Sequence, residues 1–117
     1  MAKKIGATVA ALVVLAAVTF LLIRRRGDLD PAEAHSLVDK GALLVDVRTR
    51  EEFAAGHLPN AVNVPVQELD ERLAELGPRA RPLVVYCRSG NRSARAAGTL
   101  ARAGFTAVHN LGAMSRW

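Results

Sequence analysis

Short apolar runs alternating with amphipathic stretches confine most of this chain to an α/β architecture. Leu43-Leu44-Val45-Asp46-Val47 and Leu83-Val84-Val85-Tyr86 are brief and almost continuously apolar. Each reads as a strand covered on both faces, the pattern of a parallel sheet. Val62-Asn63-Val64 and Thr106 to Asn110 read as further short strands. Helical segments lie between them. Asp30 is placed as an N-cap, Pro31 as the first helical residue and Glu33 as the capping partner. Ala34, Leu37 and Val38 form that helix's apolar stripe, and Lys40-Gly41 ends it. Thr49 or Arg50 starts a short acidic helix that Gly56 stops. Val66, Leu69, Leu73 and Leu76 predict an amphipathic helix over 66–76, broken by Gly77-Pro78. Ala94 to Ala103 is Ala-rich and helical, with Ser93 a good N-cap. The expected fold class is therefore α/β, with a central, mainly parallel sheet between helices on both faces. Reactive groups in such folds gather beyond the carboxyl ends of the strands.

The one cysteine sits at such an end, in Cys87-Arg88-Ser89-Gly90-Asn91-Arg92-Ser93. A strand, a tight loop and a helix start converge there. Backbone N–H groups of such a loop point at one spot and favour negative charge. A thiol in that position loses its proton more readily than a free one. The bland alternative is a small buried hydrophobe, but the glycine, the flanking arginines and the helix start favour a reactive thiol. Asp46 and Arg48 occupy the corresponding end of the preceding strand, either as support for the site or as a simple salt bridge. His57 reads as a brace for the turn before Pro59. His35 and His109 are isolated and carry no ligand spacing, so no metal site is expected. No nucleotide-binding glycine-rich loop is present, and no cofactor is expected.

A second population of apolar residues lies near the N-terminus. The 19 residues from Ile5 to Ile23 contain no charge, and as a helix they span roughly 28 Å, close to the hydrocarbon thickness of a bilayer. Lys3 and Lys4 flank one side, and Arg24, Arg25 and Arg26 the other. We read residues 1–27 as a single-pass membrane anchor and 28–117 as one domain; a cleaved secretory signal is the competing reading. These five flanking cations account for the whole formal charge of +5, because the other basic residues balance the eleven acids. The charge therefore suits anionic lipid headgroups and gives no reason to expect nucleic-acid binding. Counting basic flanks leaves the orientation nearly tied, with a lean towards a cytoplasmic domain over a periplasmic or other extracytoplasmic one.

Three ordered motifs resemble the rhodanese family, in particular its single-domain members. Leu44-Val45-Asp46-Val47-Arg48, Glu51-Glu52-Phe53 and Gly56-His57-Leu58-Pro59-Asn60-Ala61-Val62-Asn63-Val64-Pro65 are similar to the first half of such a domain. Val84-Val85-Tyr86-Cys87-Arg88-Ser89-Gly90-Asn91-Arg92-Ser93 resembles its active-site loop, and Gly104-Phe105 with Val108 to Gly112, Met114 and Trp117 resembles its C-terminal pattern. The resemblance implies a three-layer rhodanese-like fold and a sulfurtransferase. Cys87 would attack the outer sulfur of thiosulfate or a similar donor and carry it as a persulfide. A thiol, cyanide or a protein acceptor would then remove it. Arg88, Ser89, Gly90, Asn91, Arg92 and Ser93 would bind substrate, with Asp46 and Arg48 in support. Related cysteine phosphatases and arsenate reductases use a loop one residue longer, which favours sulfur over phosphate here.

Two departures stand out: Gly112-Ala113 occupies a place where relatives often have paired glycines, and many relatives continue into a final helix beyond the position of Trp117. The alternative function is a non-catalytic membrane adaptor, or a sulfur carrier or sensor, that uses the domain for docking.

Overall fold

The computed structural model describes residues 8–18 and 29–117. Residues 8–18 form a helix, α1, on which Val9, Leu12, Val13, Val14, Leu15 and Val18 are exposed. Among the described residues, no helix is long and apolar enough to cross a membrane. The expected anchor is thus unsupported: α1 covers only the middle of the Ile5–Ile23 run, whose two ends lie outside the described residues.

The domain proceeds as α2 (Pro31–Asp39), β1 (Leu43–Asp46), α3 (Arg50–Ala55), β2 (Val62–Asn63), two 3₁₀ helices (Val66–Glu71 and Leu73–Leu76), β3 (Leu83–Cys87), α4 (Asn91–Arg102), β4 (Val108–Ala113) and a closing 3₁₀ turn (Met114–Arg116). The strands form one sheet in the order β2-β1-β3-β4, and each neighbouring pair is parallel. Leu43 lies opposite Leu83 and Asp46 opposite Tyr86. The chain leaves β1 towards one edge and β3 towards the other. In such a topology ligands bind beyond the carboxyl ends of the two central strands, which is where Asp46 and Cys87 arrive.

Alternation along the strands divides the core into two layers. Val45, Val47, Val85 and Cys87 face α4 and the 3₁₀ segments, packing with Ala96, Leu100, Val66, Leu69, Leu76 and Phe105. Leu44, Val84, Tyr86 and Leu111 face the other way, against Ala34 of α2 and Leu58, with Leu37, Met114 and Trp117 alongside. All five residues of β3 are buried, which explains its unbroken apolar character.

Most of the predicted caps hold, but Glu33 makes no return bond to Asp30. The Asp30 carboxylate accepts from the Ala32 N–H at 2.8 Å, and Gly41 turns the chain at φ +106°. Thr49 caps α3 in a reciprocal box with Glu52. Strand ends shift by a residue, and three elements differ by more. The single helix over 66–76 is instead two 3₁₀ helices broken at Arg72. Arg72 donates its backbone N–H to Leu69 and a guanidinium N–H to the Asn63 carbonyl, and pairs with Glu75. The apolar residues still point inward because Val66 to Leu69 and Leu73 to Leu76 are each three apart, one 3₁₀ turn. Helix α4 starts at Asn91 with Gly90 as its cap, so Ser93 lies inside the first turn and is no N-cap. The last strand runs from Val108 rather than Thr106 and extends to Ala113, after a register shift opposite Val85 and Tyr86.

Leu100 has no exposed surface and sits among the residues joining α4 to the sheet. Leu100→Ala should therefore destabilise the domain by about 2–5 kcal/mol, read as a lower urea midpoint at an unchanged slope.

Candidate active site

Cys87 is the last residue of β3, and its side chain is turned towards α4 and fully buried. Gly90, at φ +104° and ψ −18°, reverses the loop. That left-handed conformation suits glycine, and it aims the Gly90 N–H at the Cys87 sulfur, 3.0 Å away. Ser93, one turn into α4, places its hydroxyl 3.5 Å from the sulfur and also donates to the Gly90 carbonyl at 3.0 Å. This bond fixes the loop's shape. Arg88, Ser89 and Asn91 are exposed on its outer surface.

Two opposing effects act on the thiol. Burial pushes its pKa up; the Ser93 hydroxyl and the backbone N–H groups of Ser93, Gly90 and Ser89 pull it down, and the net result is a lowered pKa. The loop thus favours an anion on a sulfur that solvent does not reach. This is electrostatic stabilisation by prearranged donors.

Behind the loop, Asp46 and Arg48 form a buried pair. Arg48 Nε bonds both carboxylate oxygens at 3.1 Å, and Nη2 reaches Oδ2 at 2.7 Å. The Arg48 backbone N–H donates to Asp46 Oδ1, and Nη2 also donates to the Gly56 carbonyl. The guanidinium carbon lies 5.9 Å from the Tyr86 ring centre. Asn63 ties this corner to β2 by donating its amide to the carbonyls of Asp46 and Arg48. The Tyr86 hydroxyl accepts from the Leu58 N–H, and burial pushes its pKa up. The surface salt-bridge alternative for Asp46 and Arg48 therefore gives way to a buried, fully bonded one.

Arg92 occupies the first turn of α4. Its Nη1 and Nη2 meet Glu52 Oε1 and Oε2 at 2.6 and 2.9 Å, a two-pronged contact that joins α3 to the cysteine loop. The Arg92 hydrogen bonds, with further help from Thr49, hold Glu52 down to about 2. The structure therefore brings together Cys87, Gly90, Arg92 and Ser93, with Asp46 and Arg48 one strand away. It leaves Arg88 and Asn91 facing solvent. Sequence reasoning missed Glu52, Asn63 and Tyr86 as parts of this site. The box spacing of Thr49 and Glu52 was a readable cue to a helix cap, but nothing in the sequence linked Glu52 to a residue 40 positions away. His57 does brace its turn, with Nδ1 2.9 Å from the Phe53 carbonyl and its ring stacked on Phe53.

Removing the Ser93 hydroxyl takes away the largest effect lowering the Cys87 pKa. In Ser93→Ala the thiol pKa should rise, so the ultraviolet thiolate signal develops at higher pH than in the wild type. The sign for stability follows from linkage: a lowered folded pKa contributes stability at high pH that is lost as pH falls through it. That increment should shrink in the variant.

Comparison with known proteins agrees with this geometry. Residues 30–117 match the family model described as "Rhodanese-like domain". The chain is 42% identical over 76 residues to a sulfurtransferase of Allochromatium vinosum, covering 64% of this chain and 70% of that protein. It is 35% identical over 88 residues to the thiosulfate sulfurtransferase GlpE of Pseudomonas savastanoi, covering 74% and 82%. Among solved structures, the human single-domain sulfurtransferase TSTD1 superposes with a TM-score of 0.68 at 36% identity, over 74% of this chain and 89% of that one. The chain belongs to the rhodanese-like domain family.

Proposed function

We propose that this protein is a sulfurtransferase that carries sulfane sulfur on Cys87. The Cys87 thiolate attacks the outer sulfur of thiosulfate or a similar donor. A new S–S bond forms at Cys87, the donor's own S–S bond breaks, and sulfite leaves with the bonding pair. The persulfide then passes its outer sulfur to a thiol, cyanide or a protein acceptor, and Cys87 returns to the thiolate. The observation that carries this reading is a sulfur that accepts from the Gly90 N–H at 3.0 Å, lies 3.5 Å from the Ser93 hydroxyl and has a thiol pKa lowered despite burial. A nucleophile is needed in its ionised form, and the same N–H groups of Ser89, Gly90 and Ser93 suit the persulfide anion. The Ser89 and Gly90 N–H groups line the sulfur, Arg88 and Asn91 stand exposed on the loop's outer surface, and Arg92 and Ser93 hold the loop at the start of α4. Asp46 and Arg48 support the site from β1. The family membership and the sulfurtransferase relatives favour this chemistry over phosphate hydrolysis.

Cys87→Ser should abolish production of thiocyanate from thiosulfate and cyanide. Intact-mass spectrometry of wild type treated with thiosulfate should show the gain of one sulfur atom on Cys87, removable by cyanide. No such adduct would turn the reading towards a docking module.

We further propose that residues 5–23 tether the domain to a membrane. The support is the uncharged stretch flanked by basic residues and the exposed valines and leucines of α1. The full chain should remain in the membrane fraction through an alkaline carbonate wash. Release by that wash would count against the tether.

A further inference from the structure

The rim of the cysteine loop has less usable positive charge than its arginines suggest. Arg48 is closed off by Asp46. Arg92 is closed off by Glu52 through two short contacts, on side chains that are 30% and 28% exposed. Arg92 also feels the charges of Cys87 and Asp46, and Arg48 feels Glu52. The four groups therefore form one balanced quartet beside the sulfur, two positive and two negative. Among the described residues Arg88 forms no ion pair, and it is exposed, where solvent and salt weaken its field.

We infer that Glu52, by occupying the fork of Arg92, makes this site select sulfane donors of low charge, such as a protonated organic persulfide, over the thiosulfate dianion. The inference rests on the sulfur-transfer reading above and names the substrate class for it. Charge balance carries the argument. When the Cys87 thiolate attacks the outer sulfur of R–S–SH, a Cys87–S bond forms, the donor's S–S bond breaks, and R–S⁻ leaves with the electron pair. The reacting groups hold one negative charge throughout, or two where the persulfide is ionised. When the same thiolate attacks thiosulfate, sulfite leaves with the pair, and the reacting groups hold three negative charges throughout. Loop N–H dipoles and a solvent-exposed Arg88 suit the first case. The second needs Arg92, which Glu52 holds. Glu52 is thus a specificity-determining residue, acting through Arg92.

The test uses the full chain as wild type and as Glu52→Gln. Glutamine can still accept from Arg92 and from the Thr49 backbone N–H, but it lacks the charge. Single-turnover sulfur loading of Cys87 is followed by intact mass against concentration of thiosulfate or of 2-hydroxyethyl persulfide. The wild type should half-saturate with the persulfide at a concentration at least about tenfold below that for thiosulfate, as expected when like charges crowd a partly buried site. In Glu52→Gln the thiosulfate value should fall about tenfold while the persulfide value stays within about twofold, since a freed cation acts on the more charged donor. Glu52→Gln/Arg92→Gln should cancel the gain. An unchanged thiosulfate value in a folded Glu52→Gln, or an equal gain for both donors, overturns the inference. A wild type that prefers thiosulfate overturns it even if the variant fails to fold. If neither donor loads sulfur onto wild-type Cys87, the sulfur-transfer reading itself falls and takes this inference with it.

Discussion

One contest governs this structure: a buried sulfur that would rather stay protonated, against backbone hydrogens that favour its anion. Burial raises the thiol pKa, and the N–H groups of Ser89, Gly90 and Ser93 together with the Ser93 hydroxyl reverse that shift. Those N–H groups converge because the loop is short and turns at Gly90 with positive φ. The hydroxyl of Ser93 then ties the turn back to α4 through the Gly90 carbonyl. Cys87 itself is packed with Val45, Val47, Ala96 and Leu100, so the sulfur has little freedom to drift from its donors.

Two ion pairs extend that rigidity outward by different means. Asp46 and Arg48 are almost fully buried, and breaking such a pair strands a charge. The Arg48 bond to the Gly56 carbonyl, together with the Asn63 amide, fixes the corner between β1 and β2. Glu52 and Arg92 are partly exposed and link α3 to the first turn of α4. Salt and competing anions reach this second pair more readily. One pair therefore sets the frame, while the other stays within reach of solvent. The same glutamate closes the capping box of α3, so a single side chain couples a helix start to the charge of the site.

Much of this was legible in the residues. Continuous apolar character in Leu43–Val47 and Leu83–Tyr86 identified the central strands, because both faces of a parallel sheet are covered. Caps at Asp30, Thr49 and Gly56 were readable because they are local chemistry. The cysteine loop was readable because a strand, a glycine and a helix start must adjoin in sequence to converge in space. The misreadings have a common physical source. Valines and leucines spaced three and four apart fit an α-helix and two 3₁₀ turns equally well, and the tertiary bonds of Arg72 decided between them. Ser93 resembled an N-cap by composition, yet Gly90 could adopt the left-handed turn and began the helix three residues sooner. The Glu52–Arg92 contact spans α3, two strands and the 3₁₀ segments. No local pattern encodes it.

The resting geometry is better matched to the loaded cysteine than to the empty one under the proposed reaction. In the thiol state the sulfur lies at the floor of the loop, against an apolar cluster, with the Gly90 N–H at 3.0 Å and the Ser93 hydroxyl already committed to the Gly90 carbonyl. A second sulfur would carry the negative charge one bond further out, away from the apolar floor and towards the N–H groups of Ser89 to Ser93. The burial penalty on the anion falls while its hydrogen bonding improves. Under the proposed reaction, a site built this way would hold the persulfide more firmly than the free thiolate. The amide ring supplies that stabilisation with dipoles rather than full charges, so it works without demanding a highly charged partner on either side of the transfer.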